Sequence, residues 1–346
     1  MYDMILQGAR SLGVEGMERL VADLKAAILS ALAGGSPGAW PDACPRCGCA
    51  RVVRRGRGAG GSQRWLCRGC GRSFSASTGR VLALSKLPAA TWASYVEGMA
   101  AGESLARLAA RCGVCVKTSW FMRMRALEVM RSQLQPMRGG DGVSAQADEL
   151  YLNESFSGRR SGMPREPHAN GHGVRSRGIS SLKVAVVTVV NDLGDCTAVL
   201  AARGRPGAEQ IRAGLAPACV AGSEVSTDMH SSYAAPLSEA GAASHNRYGA
   251  ADAGEDELGM VNALHERLRG FLWRFRGVST RRLQRYLWWF CWEEQVRRSD
   301  ASREAMLRSH VANGSYESTR RDLEEEPQPF WDFWESRDES DVSNLV

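Results

Sequence analysis

No stretch of about 18 or more consecutive apolar residues occurs in the chain, so there is no candidate transmembrane helix and no membrane partner is expected. The N-terminus, Met1 to Leu12, lacks the basic start and apolar run of a secretory signal, and the expected setting is a soluble cytoplasmic protein. There is no internal repeat, which sets repeat architectures aside. With no secretion signal, the ten cysteines read as metal ligands before disulfides.

Negative charge is also short, except at one end. From Asp322 to Val346 nine acidic residues face a single basic one, Arg337, so this segment carries −8. The net charge is +6, which leaves +14 on residues 1–321. A basic body suggests a polyanionic partner, and most of the cations are arginines, whose planar forks match phosphates and guanine edges. Hydrophobic residues make up 44%, enough for a real core, and 346 residues fit two or three domains.

Residues 1–39 read as an amphipathic helix, with Leu6, Leu12, Met17, Leu20, Leu24 and Ile28 near helical spacing, and then a linker from Ala33 to Gly38. Residues 40–82 hold two CxxC pairs, Cys44/Cys47 and Cys67/Cys70, 19 residues apart. Four thiolates satisfy tetrahedral zinc, and each CxxC turn offers two sulfurs to one side of the ion. Gly48, Gly69 and Gly71 suit tight knuckles, and Arg51-Val-Val and Arg64-Trp-Leu suit hairpin strands between them. The expectation is a zinc ribbon with structural Zn²⁺, with Cys49 a bystander. Its arginines (Arg54, Arg55, Arg57, Arg64, Arg68, Arg72) make DNA contact plausible.

Residues 83–138 read as helical. A third CxxC, Cys112/Cys115, falls inside a helix-turn-helix pattern rather than a metal site. Leu105, Leu108 and Ala109 form the buried face, Gly113 makes the turn and Val114 plugs the core. Lys117, Thr118, Ser119, Arg123 and Arg125 are expected to face outward on a second helix, to meet the major groove. The plain alternative is a helical hairpin packed in a core.

After the break at Gly139 to Gly142, residues 139–300 read as mixed α/β. Strands are expected over Gly142–Leu152, Leu182–Asn191, Cys196–Ala202 and Glu224–Asp228. Helices are expected over Ala208–Leu215, Leu258–Arg276 and Thr280 to about Arg298. Asp148 lies in a half-buried strand, where an acid needs a partner or a metal. Asp228 ends a strand that runs into a helix, where ligand sites of α/β sheets gather. Two such acids can hold divalent ions for phosphoryl transfer, although many strand ends carry Asp without that role. Ser157 to Gly178 is a basic loop (Arg159, Arg160, Arg165, Arg175, Arg177) that could order on DNA, and His168 and His172 in it are read as exposed. Trp288, Trp289, Phe290 and Trp292 are read as core or dimer contacts. Residues 301–346 are expected as an acidic C-terminal tail, whose Phe330, Trp331, Phe333 and Trp334 could dock; a solubility or an inhibitory role is expected for it.

The order of these features (zinc ribbon, helix-turn-helix, Asp148-Glu-x-Tyr151, Thr227-Asp-x-x-x-x-Tyr233, then Asn262-x-x-His265) resembles bacterial zinc-ribbon insertion-sequence transposases. The run from Val261 to Leu287 is the most telling match, and the resemblance covers about residues 40 to 297. Their catalytic part is the ISXO-two-like transposase domain, an RNase-H-like member of the DDE class. The resemblance therefore implies a multidomain α/β protein: a zinc ribbon and helix-turn-helix, then an RNase-H-like mixed-sheet catalytic domain. It implies a DNA transposase that cleaves element ends and transfers strands with Mg²⁺ or Mn²⁺. It further implies double-stranded DNA partners (element ends and target), a homodimer or higher oligomer, and a cytoplasmic, nucleoid-associated location. Carried over, Asp148 is the first acid and Asp228 the second. Many relatives have Glu three residues after the helix's Asn; here that place holds His265, with Glu266 beside it as the alternative and Asn262 able to ligate or orient. Arg269 and Arg274 on the same helix are placed to hold the DNA backbone. Two other readings stay open: a zinc-ribbon DNA-binding regulator that has lost catalysis, and a nuclease on the same fold.

Overall fold

The structure is a computed structural model that describes residues 7–9, 11–34, 40–58, 63–75, 78–81, 85–159, 161–164, 180–249, 257–299, 302–314, 316 and 318–336. It divides into two compact units: Met1–Gln133 with Asp300–Arg321, and Leu134–Ser299 with Asp322–Val346. No helix among the described residues is long and apolar enough to cross a membrane.

In the first unit, helix α1 (Gly13–Gly34) precedes a three-stranded antiparallel sheet of β1 (Val52–Arg57), β2 (Gln63–Cys67) and β3 (Ser73–Ser75), in that order. Its small core is Cys44, Val52, Trp65, Cys67 and Phe74. A sheet this small cannot bury enough apolar area to hold itself, which is the usual setting for a structural metal. The third strand was not foreseen; Phe74 flanked by two serines is too short a run to announce itself.

Three helices follow: α2 (Ala89–Ala100), α3 (Leu105–Arg111) and α4 (Val116–Ser132). Helix α3 starts where the Ser104 side chain accepts from the Arg107 amide, and Gly113, at φ 61°, makes the turn into α4. Helix α4 was expected to present an outward polar face, and the structure corrects this for most of its length. Ser119 is fully buried: its hydroxyl donates to the Leu105 carbonyl, and its own carbonyl accepts from Tyr95 Oη. Arg123 is also buried, and it donates to the Glu103 carbonyl at 2.7 Å. Arg125 is half-buried, its guanidinium stacked on Phe121 and Tyr316. Met122, Met124, Leu127 and Met130 are buried as well, so α4 is a central helix. Its first turn is the open part: Val116 and Lys117 are exposed and Thr118 is half-exposed.

The second unit is built on a five-stranded mixed sheet. Its strands are β4 (Ser144–Asn153), β5 (Lys183–Asn191), β6 (Cys196–Arg203), β7 (Glu224–Asp228) and β8 (Ser244–Tyr248), in the order β6-β5-β4-β7-β8. β6, β5 and β4 are antiparallel, while β4, β7 and β8 run parallel. β5 reads Val-Ala-Val-Val-Thr-Val-Val from Val184, and its residues from Val184 to Asn191 are all buried, as a strand covered on both faces requires. On one face Ala145, Ala147, Val187 and Val189 meet Ile211 and Leu215 of α5 (Ala208–Leu215) and Leu237 of α6 (Ala234–Glu239). On the other face α7 (Gly259–Trp273) lies against β4 and β5, and α8 (Thr280–Arg297) lies against β6. β8 is Ser-His-Asn-Arg-Tyr, an edge strand with no apolar alternation, which is why the sequence did not show it.

The stretch 301–346, expected as one acidic tail, is divided between the units. Helix α9 (Arg303–Asn313) buries Leu307 and Val311 in the first. In the second, Leu323 of α10 (Arg320–Glu325) and Trp334 of α11 (Asp332–Glu335) are buried. Trp334 packs on Phe156 and Leu182 and donates to Glu154, and Arg281, Arg282 and Arg285 grip the Glu326 region. The anchors are apolar and aromatic residues that a charge count overlooks. Trp289, Phe290 and Trp292 are core, as expected. Of the basic loop, Arg160, Arg165, His168, His172, Arg175 and Arg177 lie outside the described residues.

Candidate functional site

The first candidate centre is local. Cys44-Pro-Arg-Cys47-Gly48 and Cys67-Arg-Gly-Cys70-Gly71 make the same turn twice. The Gly48 amide donates to the Cys44 carbonyl and the Gly71 amide to the Cys67 carbonyl, and both glycines sit at φ 69°. That left-handed backbone is where an L side chain is strained. Gly69 serves differently: a Cβ there would lie 2.8 Å from Cys49 Sγ, so it allows a close approach rather than a left-handed turn. The four sulfurs lie within 4.8 Å of one another, with Cys44–Cys70 at 3.9 Å and Cys47–Cys67 at 3.6 Å. Tetrahedral zinc with bonds of about 2.3 Å separates its sulfurs by about 3.8 Å, so the cluster fits such an ion. The crowded thiols are split: burial pushes Cys44 up, but the Arg46 and Cys47 amides outweigh it and bring it down to about 7, while, despite the Cys49 amide, Cys47 is pushed up to about 12 by the neighbouring sulfurs and burial.

Around this cluster Arg46, Arg51, Arg54, Arg55, Arg57, Arg64, Arg68 and Arg72 are all exposed. Between Asp42 and Glu97 the chain has ten basic residues and no acidic one. Trp40, 57% exposed, stacks edge-on against Trp65, and Arg54 lies over both rings.

The second centre is assembled from strands far apart in sequence. The β4–β7 ladder stops at Gln146–Ser226. Beyond it the β4–β7 pairing ends, with Asp148 in the middle of β4 and Asp228 at the carboxyl end of β7. Ligands of α/β sheets bind in the crevice at such strand ends. The structure brings together Asp148, Glu149 and Asp228, with carboxylate oxygens within 4.8 Å of one another. Two oxygens on one divalent ion can be no more than about 5 Å apart at bonds of 2.0–2.6 Å, so these three acids fit a shared cation. Burial, with the neighbouring Asp228 carboxylate adding to it, raises both Asp148 and Glu149 to about 7. A site that lifts carboxylates this far asks for positive charge.

Glu149 was not foreseen as a member. A strand alternates its faces, so the neighbour of Asp148 is expected to point away. It does lie on the opposite face: His230 Nδ1 is 3.4 Å from Glu149 Oε1, and Tyr151 and Tyr233 are close enough for Glu149 to raise both phenols, behind burial. Only where β7 ends can both faces of β4 reach one point. Glu149 Oε1, Tyr151 Oη, His230 Nδ1 and Tyr233 Oη are all buried and crowd together, the two phenols and the imidazole being the polar neighbours of the carboxylate.

His265 stands beside Asp148, outside the group whose donors all lie within 4.8 Å of one another. The Thr188 hydroxyl donates to the Asp148 carbonyl at 3.0 Å, so it must accept from His265 Nε2, 2.7 Å away. This assigns the proton to Nε2 and leaves the Nδ1 lone pair facing Asp148 Oδ2 at 3.7 Å. Burial, helped by Arg269, lowers His265 to about 4, so the ring is neutral. Glu266 is not in the acidic group: it is exposed on α7 and pairs with Arg269, and Asn262, one turn before His265, is exposed on the same helix. One residue of helix turns about 100°, so His265 and Glu266 cannot both face the sheet. Arg274 is tied to Glu293 and stacked on Phe271.

Compared with known proteins, the chain matches no family model and no curated protein.

Proposed function

We propose that the protein is a DNA-processing enzyme that cuts and rejoins strands, of the insertion-sequence transposase type. The single observation that carries this reading is the convergence of Asp148, Glu149 and Asp228 in the crevice of a mixed sheet. The reading is supported by a five-stranded mixed sheet of order β6-β5-β4-β7-β8 in the same chain as an arginine-studded four-cysteine ribbon. Divalent ions held by these acids, with His265 Nδ1 as a further donor to one of them, would activate a water or a 3′-hydroxyl and stabilise the leaving oxygen. The chain's own residues set the stage for this. Asp228 is fixed by its Oδ1, which accepts from the His230 amide at 2.8 Å. Thr188 locks the His265 tautomer. The Glu149 carboxylate is boxed by His230, Tyr151 and Tyr233. Arg269 supplies positive charge at the rim for a phosphate. The ribbon's exposed arginines and the first turn of α4, with Lys117 and Thr118, are the surfaces for binding duplex DNA, and the ribbon's zinc is structural.

The test is strand transfer with purified protein, the DNA flanking its own gene, and Mg²⁺ or Mn²⁺. Joining that disappears in Asp228→Ala and is reduced in His265→Ala supports the reading. Cutting without joining supports a nuclease. Tight DNA binding without either makes the protein a regulator and overturns the catalytic reading.

A further inference from the structure

Trp273 is the most exposed large apolar side chain among the described residues, at 82%. It ends α7, the helix that brings His265 beside Asp148. Glu266, Arg269 and Trp273 follow one another at spacings of three and four, so they share one exposed stripe. Arg276 continues it in the closing turn, where its amide donates to the Trp273 carbonyl at 3.1 Å. No other large apolar side chain of α7 or of this turn is exposed, whereas a protein interface needs an apolar core of several residues. Its nearest neighbours along the stripe are cationic instead: Arg269 one turn before it and Arg276 three residues after it. Arg276 makes no ion pair among the described residues, and the Arg269–Glu266 pair is an exposed i,i+3 contact of the kind that yields easily to a phosphate. Arg276 also holds φ 50°, a left-handed conformation usual for glycine at a helix end. A strained arginine there is better explained by what its side chain does than by the turn.

We propose that Arg269, Trp273 and Arg276 form a binding surface for an unpaired stretch of DNA leading to the carboxylate cluster, with Trp273 stacked on a base and the two arginines on the flanking phosphates. This rests on the DNA-processing reading above. The chemistry matches how single strands are held, by an aromatic face for a base and a cationic track for the backbone. The occupant is an unpaired strand because a base inside a duplex offers no face to a side chain. Eight residues separate Trp273 from His265, about 12 Å along the helix, the span of a few stacked nucleotides at about 3.4 Å each.

The experiment uses the full chain and a 20-nucleotide single strand carrying 2-aminopurine, alongside the same sequence as a duplex, with Ca²⁺ present. Binding is followed by anisotropy, and stacking by quenching of the 2-aminopurine at saturating protein. The expected result is quenching on the single strand that is relieved in Trp273→Ala and kept in Trp273→Phe. Trp273→Ala should lose about ten- to a hundredfold in single-strand affinity and change duplex affinity less than about twofold. Arg276→Ala should weaken both forms and reduce the salt slope by about 0.7–0.9. Wild-type binding with unchanged quenching in Trp273→Ala overturns the inference while leaving the parent reading intact. So does unchanged quenching with lost self-association, which would give Trp273 to a protein interface. Wild-type protein that binds neither DNA overturns the parent reading and the inference with it. Because Trp273 is so exposed, folding of the variants is checked simply by an unchanged thermal melt.

Discussion

The two ligand clusters reach the same result by opposite routes. In each, potential metal donors lie within 4.8 Å of one another. The cysteine cluster is made by two identical turns on one hairpin, each closed by its own glycine. The acidic cluster is made by residues about eighty positions apart, at a point where the pairing of two parallel strands ends. The difference teaches that donor softness and locality go together here. Thiolates in adjacent turns describe their metal before the chain folds. Carboxylates do so only after a whole sheet has brought them into a buried crevice, where their repulsion raises them toward neutrality.

The contrast breaks most visibly if zinc is withheld. Cys67→Ser should unfold the ribbon, because structural zinc supplies an apparent 10–16 kcal/mol of folding energy in such small units. Zinc content should fall with it, while the melt of the second unit stays put. A ribbon that keeps its amide dispersion in NMR spectra without zinc would refute this.

Next in size is a pH effect confined to the acidic cluster. Asp148 and Glu149 hold protons up to about 7, above their unfolded values near 4. The folded state therefore binds more protons, and its advantage, complete below about pH 4, is lost as pH rises to about 7. One such group alone accounts for on the order of 4 kcal/mol, and the coupled pair for less than twice that. Melts in Mg²⁺-free buffer should fall over this window, and Asp148→Asn should flatten the fall. A fall of equal size in that variant would show that other groups cause it.

A smaller effect sharpens the membership of the cluster. Glu149→Gln and His265→Ala should each weaken Mn²⁺ binding at the acids by about 10- to 100-fold, read by titration calorimetry on zinc-loaded protein. If Glu149→Gln changes nothing, the third donor is His265 alone. The smallest effect is expected of Glu266→Ala. That side chain is exposed and paired only with Arg269, so its melt should move by less than about 0.5 kcal/mol and its Mn²⁺ affinity not at all.

Much of the second unit was legible before folding. β7 and α5 have the expected bounds, and β4, β5, β6, α7 and α8 differ from theirs by a few residues at their ends. Their patterns are strong: an unbroken apolar β5, a helical period in α7, an Asp at the end of β7. The strands that escaped, β3 and β8, are short or polar, and helices α9 to α11 escaped because the acidic count of residues 301–346 outweighed their few apolar anchors. Helix α4 misled because Arg123 and Ser119 look like solvent-facing residues, yet backbone carbonyls satisfy both inside the core. At the site, Asp148 and Asp228 were visible as acids in strands. Glu149 was hidden because alternation puts it on the face opposite Asp148, and only the assembled sheet brings its carboxylate within reach of both aspartates.

Sequence by itself determined the four-cysteine knuckles, the run of arginines without acids around them, and the placement of Asp148 within a strand and Asp228 at the end of one. All of these are local, set by spacing, turn chemistry and charge. Tertiary structure decided which carboxylates meet, which nitrogen of His265 keeps its lone pair, and which cations stay exposed. Those outcomes depend on where strand pairing ends and what packs over it. Burial and long-range proximity are properties of the assembled sheet, and no window of the chain contains them.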